Sequence, residues 1–407
     1  MPERTVVLFT GQIYTAFIQT EIAWMRKLYP SSVIVTDNSN LDKDRYPKTC
    51  KVDFNAPRMK LVRHFAQHAF EIAGLLIKDL ISKRSSWPYL LAWRQRLSTL
   101  IRCSCIEQDL YQDGVIGVDR TCYAYFANEY ALILALAVRR GHLSKFSMRA
   151  HGRDVIEDRE PRTAKLPFQA FKYQYAEHIY CVSEATGKYI KHLYPSCSNK
   201  VETSYLGTMD HGLGPLSAPS EQVVLISIGR VRNVKRFFLI AEMLQYVDVA
   251  IKWVHVGDVA KNDPTYARFE ASLKVLDNKP NVDVEMLGFM DNEALMQYYQ
   301  KNYVDVIINT SEHEGLPVSI QEAISFGIPA MATDVGGTSD IVNEATGVLL
   351  SANPNPEEMA RSMIDFITKH ARSRDFRVGV RRYWEDHFNG AVNYPRFFKT
   401  LVSGKLD

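Results

Sequence analysis

Short apolar runs rich in Val and Ile alternate with amphipathic segments of helical length from about residue 217 onward. The runs are too short for helices and are rich in β-branched residues, so we predict that they are strands. They lie at 223–228, 251–256, 282–287, 304–308 and 329–333. Helices are predicted at 235–247, 264–276, 292–301, 317–326 and 356–370. This alternation indicates right-handed crossovers and a parallel sheet, and such sheets hold ligands beyond the carboxyl ends of their strands.

The first half of the chain shows the same kind of pattern with longer insertions. Its predicted strands lie at 5–10, 33–36, 146–150 and 179–182. A helix is expected after Thr15, and the stretch from about 58 to 140 is mainly helical in pattern. The segment 207–220 is rich in glycine and proline and is the natural interdomain linker. The predicted fold class is therefore α/β, with a parallel-sheet domain on each side of this linker.

Length and composition agree with two soluble domains. A chain of 407 residues exceeds the roughly 250–300 residues at which a single core stops growing. Hydrophobic residues make up 46% and charged residues 23%, as in ordinary globular proteins. The formal charge of +3, from 49 basic and 46 acidic residues, lacks the basic excess of a nucleic-acid binder. We therefore expect no nucleic-acid partner, and any anion site must be local.

The cysteines and the amino terminus favour a cytoplasmic, soluble or peripheral protein. Six cysteines are scattered along the chain without CxxC spacing or accompanying histidines for a zinc site. Reduced thiols are the simpler interpretation. The amino terminus lacks the pattern of a signal peptide, and no apolar stretch approaches the roughly 20 residues needed to span a bilayer.

The segment 311–323 carries the strongest candidate chemistry and directly follows a predicted strand. Pro317 suits the first turn of a helix, since its missing N–H would have no intrahelical partner there. Backbone amides from Gly315 to Val318 would then be exposed at a helix N-terminus, where a phosphate or a sugar hydroxyl can be held. Glu314 before the helix and Glu322 inside it can face one ligand. Two such glutamates alone also fit a helix-dipole residue and a solvated one, but the strand, turn and helix around them favour a ligand site.

A second candidate segment follows the strand at 223–228. Gly229 permits a tight turn, and Arg230 with Lys235 places two cations at the carboxyl end of that strand, where a diphosphate would bind. A basic loop is usually only a solvated surface. Here both candidate loops are predicted at the same edge of one sheet, which favours a ligand site.

At this point the residues show a family resemblance. The second half resembles the donor domain of glycosyltransferase family 4, which comprises retaining enzymes of the GT-B fold. The matching motifs there are Gly229-Arg230 with Lys235, Gly288-Phe289-Met290, the Glu314 to Glu322 pair around Gly-Leu-Pro, Gly327-Ile328-Pro329 and Gly336-Gly337. Further matching segments are Phe17 to Ile22, Ala150 to Asp154, Tyr180 to Glu184 and Trp384 to Tyr394. The resemblance thus extends to nearly the whole chain.

The resemblance implies a GT-B architecture, in which two Rossmann-like parallel-sheet domains face each other across a cleft. Residues 1–206 would form the acceptor-side domain and 207–220 the linker. Residues 221–375 would form the nucleotide-sugar donor domain. The helices in 376–407 would cross back to the first domain.

The resemblance also implies roles for individual residues. Arg230 and Lys235 would neutralise the donor diphosphate, and Glu322 would take the ribose hydroxyls. Glu314 and His151 are the implied catalytic residues, with Glu314 near the reacting carbon and His151 across the cleft near the sugar. The other implied donor-binding positions are Gly315, Leu316, Pro317, Val318, Gly288, Phe289, Met290, Gly11 and Arg153, with the backbone at 288–290 against the base. By position alone, His151 equally fits a structural histidine. Asp340 departs from the glutamate that many relatives carry after the Gly-Gly turn.

The implied reaction transfers a sugar from a nucleotide-diphosphate sugar, UDP- or GDP-linked, to a glycan or lipid-linked acceptor in cell-surface polysaccharide or lipopolysaccharide synthesis. It needs no metal and no cofactor, because fixed cations meet the charge on the departing diphosphate. The Asp42-Lys43-Asp44 triplet is interpreted as a polar loop. A dinucleotide-dependent oxidoreductase would need a Gly-x-Gly-x-x-Gly turn, which the chain lacks. A catalytically inactive nucleotide-sugar-binding scaffold remains the alternative.

The segment 83–102 leaves membrane contact open. It combines basic residues, aromatic residues and an apolar stripe at helical spacing, as a helix lying on an anionic leaflet would. A helix packed on its own domain with a basic outer face gives the same pattern. The sequence is equally consistent with both interpretations.

Overall fold

The structure, a computed structural model, describes residues 5–404 apart from 12, 14, 39–41, 43, 45, 83–91 and 157–165. The chain forms two compact units. The first consists of residues 1–204 with 394–407, and the second of residues 205–393.

The first unit is built on a seven-stranded parallel sheet with strand order β3-β2-β1-β4-β5-β6-β7. Its strands are β1 (Val6–Phe9), β2 (Val33–Thr36), β3 (Thr49–Lys51), β4 (Thr121–Ala124), β5 (Phe146–Ala150), β6 (His178–Cys181) and β7 (Val201–Thr203). Its helices are α1 (Ala16–Leu28), α2 (Arg58–Ser82), α3 (Trp93–Gln112), α4 (Glu129–Arg139), α5 (Gln169–Tyr175) and α6 (Glu184–Leu193). The order reverses between β1 and β4, which pair directly. This reversal is the position where doubly wound sheets bind ligands.

The second unit repeats this plan with a six-stranded parallel sheet of order β10-β9-β8-β11-β12-β13. Its strands are β8 (Val223–Ile228), β9 (Ile251–Val256), β10 (Val282–Gly288), β11 (Val306–Asn309), β12 (Ala330–Thr333) and β13 (Gly347–Leu350). Its helices are α7 (Phe238–Leu244), α8 (Tyr266–Leu276), α9 (Asn292–Lys301), α10 (Val318–Ser325), α11 (Pro356–Phe366) and α12 (Arg374–His387), and α13 (Gly390–Ser403) follows. Here β8 pairs with β11, so the order reverses between these two strands.

Nine strands of the described residues lie at predicted apolar runs, whereas β3, β4, β7 and β13 were not predicted. Those of β8 and β9 are confirmed at the predicted bounds 223–228 and 251–256. The central strands are covered on both faces, so nearly every residue along them is buried and the apolar run is unbroken rather than alternating. The stretch from 58 to 140 is mainly helical, as predicted, but it also contains the four-residue central strand β4, which was not predicted. The equally short β2 has a Val-Ile-Val run that marks it as a strand, whereas β4 contains no Val or Ile.

The predicted linker 207–220 lies within the second unit. The amide of Thr208 donates to the carbonyl of Phe388, and that of Gly214 to the carbonyl of Phe326. Trp384 of α12 is buried and its indole N–H donates to the Thr208 hydroxyl at 2.7 Å. These contacts hold residues 376–393 in the second unit, whereas 394–407 are part of the first.

Residues 83–91 of the segment 83–102 lie outside the described residues. Residues 93–102 begin α3, which packs on α2 and α4. Arg96 is buried and pairs with Asp79 of α2 at 2.8 Å, and Leu100 is buried as well. Trp93 and Arg94 remain exposed. Arg96 and Leu100 therefore face their own unit.

All six cysteines are free thiols. Within the described part of the chain, no helix is long and apolar enough to cross a membrane. Among the same residues, no group of three or more His, Cys, Asp or Glu side chains is arranged to hold a metal ion.

Candidate active site

The loops after β8 and β11 meet at the switch point of the second sheet, and they bring Lys235 and Glu314 together. The Lys235 ammonium lies 2.7 Å from Glu314 Oε1. The same oxygen accepts hydrogen bonds from the Ser311 hydroxyl at 2.6 Å and the Asn309 side-chain amide at 3.1 Å. Burial opposes ionisation of Glu314, but Lys235 and these hydrogen bonds outweigh it and lower the pKa of the carboxyl. The result is a fixed, charged carboxylate beside a fixed cation.

Glycine residues give the strand ends their shape. Gly229 after β8 and Gly257 after β9 have φ of 136° and 151°. A Cβ on Gly257 would lie 2.1 Å from the Gly229 carbonyl oxygen, so only glycine lets these two backbones approach so closely. Arg230 follows Gly229 directly and is exposed. The cation is thus presented to solvent at the end of the central strand.

Glu322 belongs to a second group, formed with the loop after β10. The Asp291 carboxylate caps α9 by accepting from the Ala294 amide at 2.8 Å, and this places Asn292 in the first turn. The Asn292 side-chain amide then donates to Glu322 Oε1 at 2.6 Å. Burial raises the pKa of Glu322 to about 7, although this hydrogen bond favours the charged form. Gly288, with φ 68°, ends β10, and Phe289 beyond it is exposed.

The start of α10 differs from the prediction. Pro317 is the residue before the helix, with extended φ −69° and ψ 106°, and α10 begins at Val318 rather than including Pro317 in its first turn. The fixed φ of proline suits both the residue before a helix and the first helical residue. The extended ψ of Pro317 shows that it is the residue before the helix. Pro317, which occupies the N-cap position, makes no capping hydrogen bond with its side chain. Gly315 is held by the Gly-Gly turn, since its carbonyl accepts from the Gly337 amide at 2.9 Å. Leu316 is buried beneath it.

Arg236 is a residue of this site that sequence reasoning missed. It is buried, and its backbone is left-handed with φ 47°, a conformation that favours glycine. Its guanidinium donates to the carbonyls of Thr310 and Ser311 after β11, at 2.8 and 2.9 Å. It also donates to the carbonyl of Ala352 and the side chain of Asn353, at 2.7 and 3.0 Å.

Hydrogen bonds in the opposite direction complete the tie between the loop after β8 and the loop after β11. The Thr310 hydroxyl bonds the carbonyls of Lys235 and Arg236, at 2.9 and 3.1 Å, and the Glu312 amide bonds the Val234 carbonyl at 2.8 Å. The loop that carries Lys235 is thereby fixed to the loop that carries Glu314. No pattern in a single sequence marks such a residue, because a left-handed position is expected to be glycine.

The first unit has its own pocket at the switch point of its sheet, with a volume of about 720 Å³. Three of its lining residues, Gly11, His151 and Arg153, are predicted site residues. Asp37 and Tyr130 line it too, and the tyrosine hydroxyl donates to Asp37 Oδ1 at 2.8 Å. A Cβ on Gly11 would lie 2.9 Å from that same oxygen, so a larger residue there would displace the Asp37 carboxylate.

His151 is oriented by aromatic rings and by Asp154. Its ring lies 4.7 Å from the Tyr125 ring and 4.6 Å from the Phe126 ring. Asp154 accepts the His151 backbone amide at 2.8 Å and lies 3.8 Å from Nδ1. Burial opposes charge on Asp154, but the contacts with His151 and the Ala127 amide outweigh it and lower its pKa. The imidazole therefore has a fixed plane beside a charged carboxylate, and Asp154 is a second residue whose role the sequence does not reveal.

Comparisons with known proteins agree with this architecture. Residues 214–382 match the family model described as Glycosyl transferases group 1. The chain is 23% identical over 306 residues to the putative teichuronic acid biosynthesis glycosyltransferase TuaC of Bacillus subtilis (strain 168), covering 72% of this chain and 71% of that protein.

Solved structures resemble the whole chain. The lipopolysaccharide outer core galactosyltransferase WaaB in its apo form has a TM-score of 0.69 at 15% identity, covering 99% of this chain and 100% of that one. Anabaena Alr3699/HepE in complex with UDP has a TM-score of 0.68 at 14% identity, covering 98% and 100%. The two parallel sheets with their switch points are thus the GT-B fold, which confirms the predicted fold class. With a group 1 domain at 214–382, the chain is a glycosyltransferase.

The environment of Glu322 predicts a stability gain when its charge is removed. The pKa of the carboxyl is about 7 in the folded protein against 4.5 as the ordinary value, so the charged form costs free energy in the folded state. We expect Glu322→Gln to stabilise the protein by about 1 kcal/mol, or roughly 2–4 °C in Tm, after allowance for solvent screening. The gain is complete above pH 7, shrinks as the pH falls from 7 to 4.5, and disappears below 4.5, where the carboxyl is protonated in both states.

Thermal unfolding of both proteins at pH 8.5 and pH 5 measures this difference. Asn292→Ala is the matched control, because it removes the hydrogen bond and leaves the carboxylate in place. An equal change in Tm at both pH values for Glu322→Gln would contradict the account.

The contacts of Arg236 predict a graded series of variants. Arg236→Ala leaves several carbonyls without their donor and keeps a side chain at a left-handed position, so we expect a loss of about 2–4 kcal/mol in the free energy of unfolding. Arg236→Gly loses the same contacts but relieves the backbone, and it should recover about 1 kcal/mol of that loss. Urea denaturation of the three proteins tests the order. Arg236→Ala within 0.5 kcal/mol of wild type would show that the tie is unimportant.

Proposed function

We propose that this chain is a retaining, metal-independent glycosyltransferase of family 4 that moves a sugar from a UDP- or GDP-sugar to a glycan or lipid-linked acceptor. The observation that carries the proposal is the Lys235–Glu314 pair at the switch point of the second sheet, close in sequence to the start of α10. We place the enzyme in the cytoplasm, at the inner face of the membrane, in cell-surface polysaccharide or lipopolysaccharide synthesis.

The relatives support the donor and the pathway. TuaC is named for teichuronic acid biosynthesis, and WaaB for a galactosyl transfer in the lipopolysaccharide outer core. HepE has been solved with UDP and glucose and with UDP-glucose. A nucleoside diphosphate sugar is therefore the donor class that we propose for this chain, with a surface glycan or its lipid-linked precursor as acceptor.

Electrostatics supports the role of the cations. Cleavage of a sugar–phosphate bond leaves negative charge on the diphosphate, and preorganised cations and helix-end amides meet that charge without rearranging. Lys235 has three N–H donors, so its ammonium can keep Glu314 and still take a phosphate oxygen. Arg230 supplies a second cation at the same strand end. In the proposal these two residues provide the charge that a metal ion provides in other enzymes.

The carboxylate of Glu314 has the complementary role. It is held charged beside Lys235, and a fixed negative charge near the reacting carbon stabilises the positive charge that develops on the sugar ring. The acceptor hydroxyl attacks from the face of the leaving group and passes its proton to the departing phosphate oxygen, which gives retention without a protein nucleophile. Glu322 takes the ribose hydroxyls, the backbone at 288–290 takes the base, and His151 contacts the sugar.

The pair predicts different kinetic effects for its two members. Lys235→Met removes the diphosphate contact, so we expect KM for the donor to rise about tenfold or more together with a fall in kcat. Glu314→Gln keeps the shape but loses the charge, so kcat should fall about 100-fold with little change in donor KM. Nucleoside diphosphate release in the presence of EDTA measures both constants.

Lys252 and Glu285 provide the matched control. They form an ion pair of almost the same length, 2.8 Å, on strands of the same sheet. Lys252→Met and Glu285→Gln should leave both constants unchanged. Normal kinetics in Lys235→Met would mean that the phosphates are held elsewhere. A wild-type protein that binds nucleoside diphosphates but releases none from any donor would favour the scaffold alternative.

A further inference from the structure

Helix α2 of the first unit carries an apolar face that points to solvent. Phe70 is 97% exposed and Met59 85% exposed. Val62, Ile77 and Ile81 are between 53% and 60% exposed. These values are unusual for large apolar side chains in an ordered helix, since burying one is normally worth about 1.5–3 kcal/mol.

The exposed residues form a row rather than scattered positions. The helix is kinked at His68, and each half has its own row. Phe70, Ile77 and Ile81 are seven and four residues apart in the second half, with the small residues Ala73 and Gly74 between them, so they share one face. Met59 and Val62 form the corresponding row in the first half. Contiguous exposed apolar surface of this kind marks an interaction site.

The opposite face of α2 already accounts for the packing of the helix. Ile72 and Leu75 are buried in the core of the first unit. His64 is hydrogen-bonded to Ser104 at 2.7 Å, and Asp79 pairs with Arg96 at 2.8 Å. The exposed apolar row is therefore not needed to pack α2 against the first unit.

A groove of about 310 Å³ between α2 and α3 continues this surface. Among the described residues it is lined mainly by apolar side chains, namely Leu61, Val62, Phe65, Trp93 and Leu97, with Arg58 and Arg94 beside them. Trp93 is 43% exposed. An exposed indole next to arginine is the combination found at membrane interfaces.

The exposed charges around the surface are mainly positive. Arg58, Arg63, Lys78 and Arg94 are exposed, whereas Lys60 pairs with the half-exposed Asp109 of α3 at 2.7 Å. The acidic residues of α2 are Glu71, which pairs with Arg139 and Arg140, and Asp79, which is buried. A symmetric contact with a second copy would bring two surfaces of the same net positive charge together. An anionic lipid surface instead offers both an apolar layer and negative headgroups.

We propose that the outward face of α2, together with Trp93, docks the first unit on an anionic membrane. The membrane contact itself belongs to the proposed function, on which this step rests. Its surface is centred on α2, and from the segment 83–102 only Trp93 and Arg94 take part. A soluble glycosyltransferase docked in this way would meet its acceptor at the bilayer rather than in solution.

Vesicle co-sedimentation of the full-length protein tests the proposal without donor or acceptor. We expect binding to phosphatidylcholine–phosphatidylglycerol vesicles that weakens as salt rises, and weak binding to phosphatidylcholine alone. Phe70→Ser combined with Ile77→Ser should lower partitioning about tenfold or more. Arg63→Gln combined with Lys78→Gln should lower it about fivefold per charge.

Val118→Ser is the matched control, because Val118 is 65% exposed in the same unit but lies outside α2. All these positions are exposed, and thermal unfolding should show the same Tm as wild type. Failure of wild type to bind anionic vesicles, or equal binding by the Phe70/Ile77 variant, would overturn the proposal. So would a wild-type dimer that this variant abolishes, since the face would then join two copies. Donor turnover in solution is unaffected by these variants, which separates this proposal from the proposed reaction.

Discussion

The tie between the loops after β8 and β11 is the constraint on which the candidate active site depends. Parallel strands bring the loops at their carboxyl ends to one edge of the sheet. This topology alone does not bring the side chains of two such loops into contact. Hydrogen bonds between the two loops provide that contact. The Arg236 guanidinium donates to the carbonyls of Thr310 and Ser311. The Thr310 hydroxyl donates to the carbonyls of Lys235 and Arg236. With both backbones fixed, the Lys235 ammonium and the Glu314 carboxylate meet at 2.7 Å. A preorganised charge pair of this kind meets developing charge without a reorganisation cost.

Much of this arrangement follows from the sequence, because it depends on continuous apolar runs and on loop positions directly after them. The runs at 223–228 and 251–256 are strands with the predicted bounds, and the loops with Lys235 and Glu314 lie at one sheet edge. The strand β4 was not predictable in the same way, since Thr121–Ala124 contains no Val or Ile, unlike the equally short β2. The strand β13 was not predicted either, and it depends on Gly347, where a Cβ would lie 1.7 Å from the Ala330 carbonyl oxygen. Close approach of backbones leaves no periodic pattern.

The side-chain contacts of the site residues are harder to predict from the sequence than the strands are. Lys235 and Glu314 are 79 positions apart, and nothing in the composition of their loops indicates that the two side chains pair. Asn292 is 30 positions from the carboxylate of Glu322 that it contacts, and its place is set by the Asp291 cap of α9. Arg236 occupies a left-handed position where glycine is the expected residue. The exposed row on α2 is also invisible at the sequence level, because both faces of that helix are apolar and only the fold decides which one is buried.

A crystal structure of the full-length protein with a nucleoside diphosphate, grown in EDTA, tests the central claim most directly. We expect the diphosphate oxygens within hydrogen-bonding distance of the Lys235 ammonium and the first amides of α10, with the ribose at Glu322 and the Lys235–Glu314 contact retained. A nucleotide bound in the pocket lined by Gly11 and Asp37 in the first unit, or a diphosphate away from Lys235, would contradict the account.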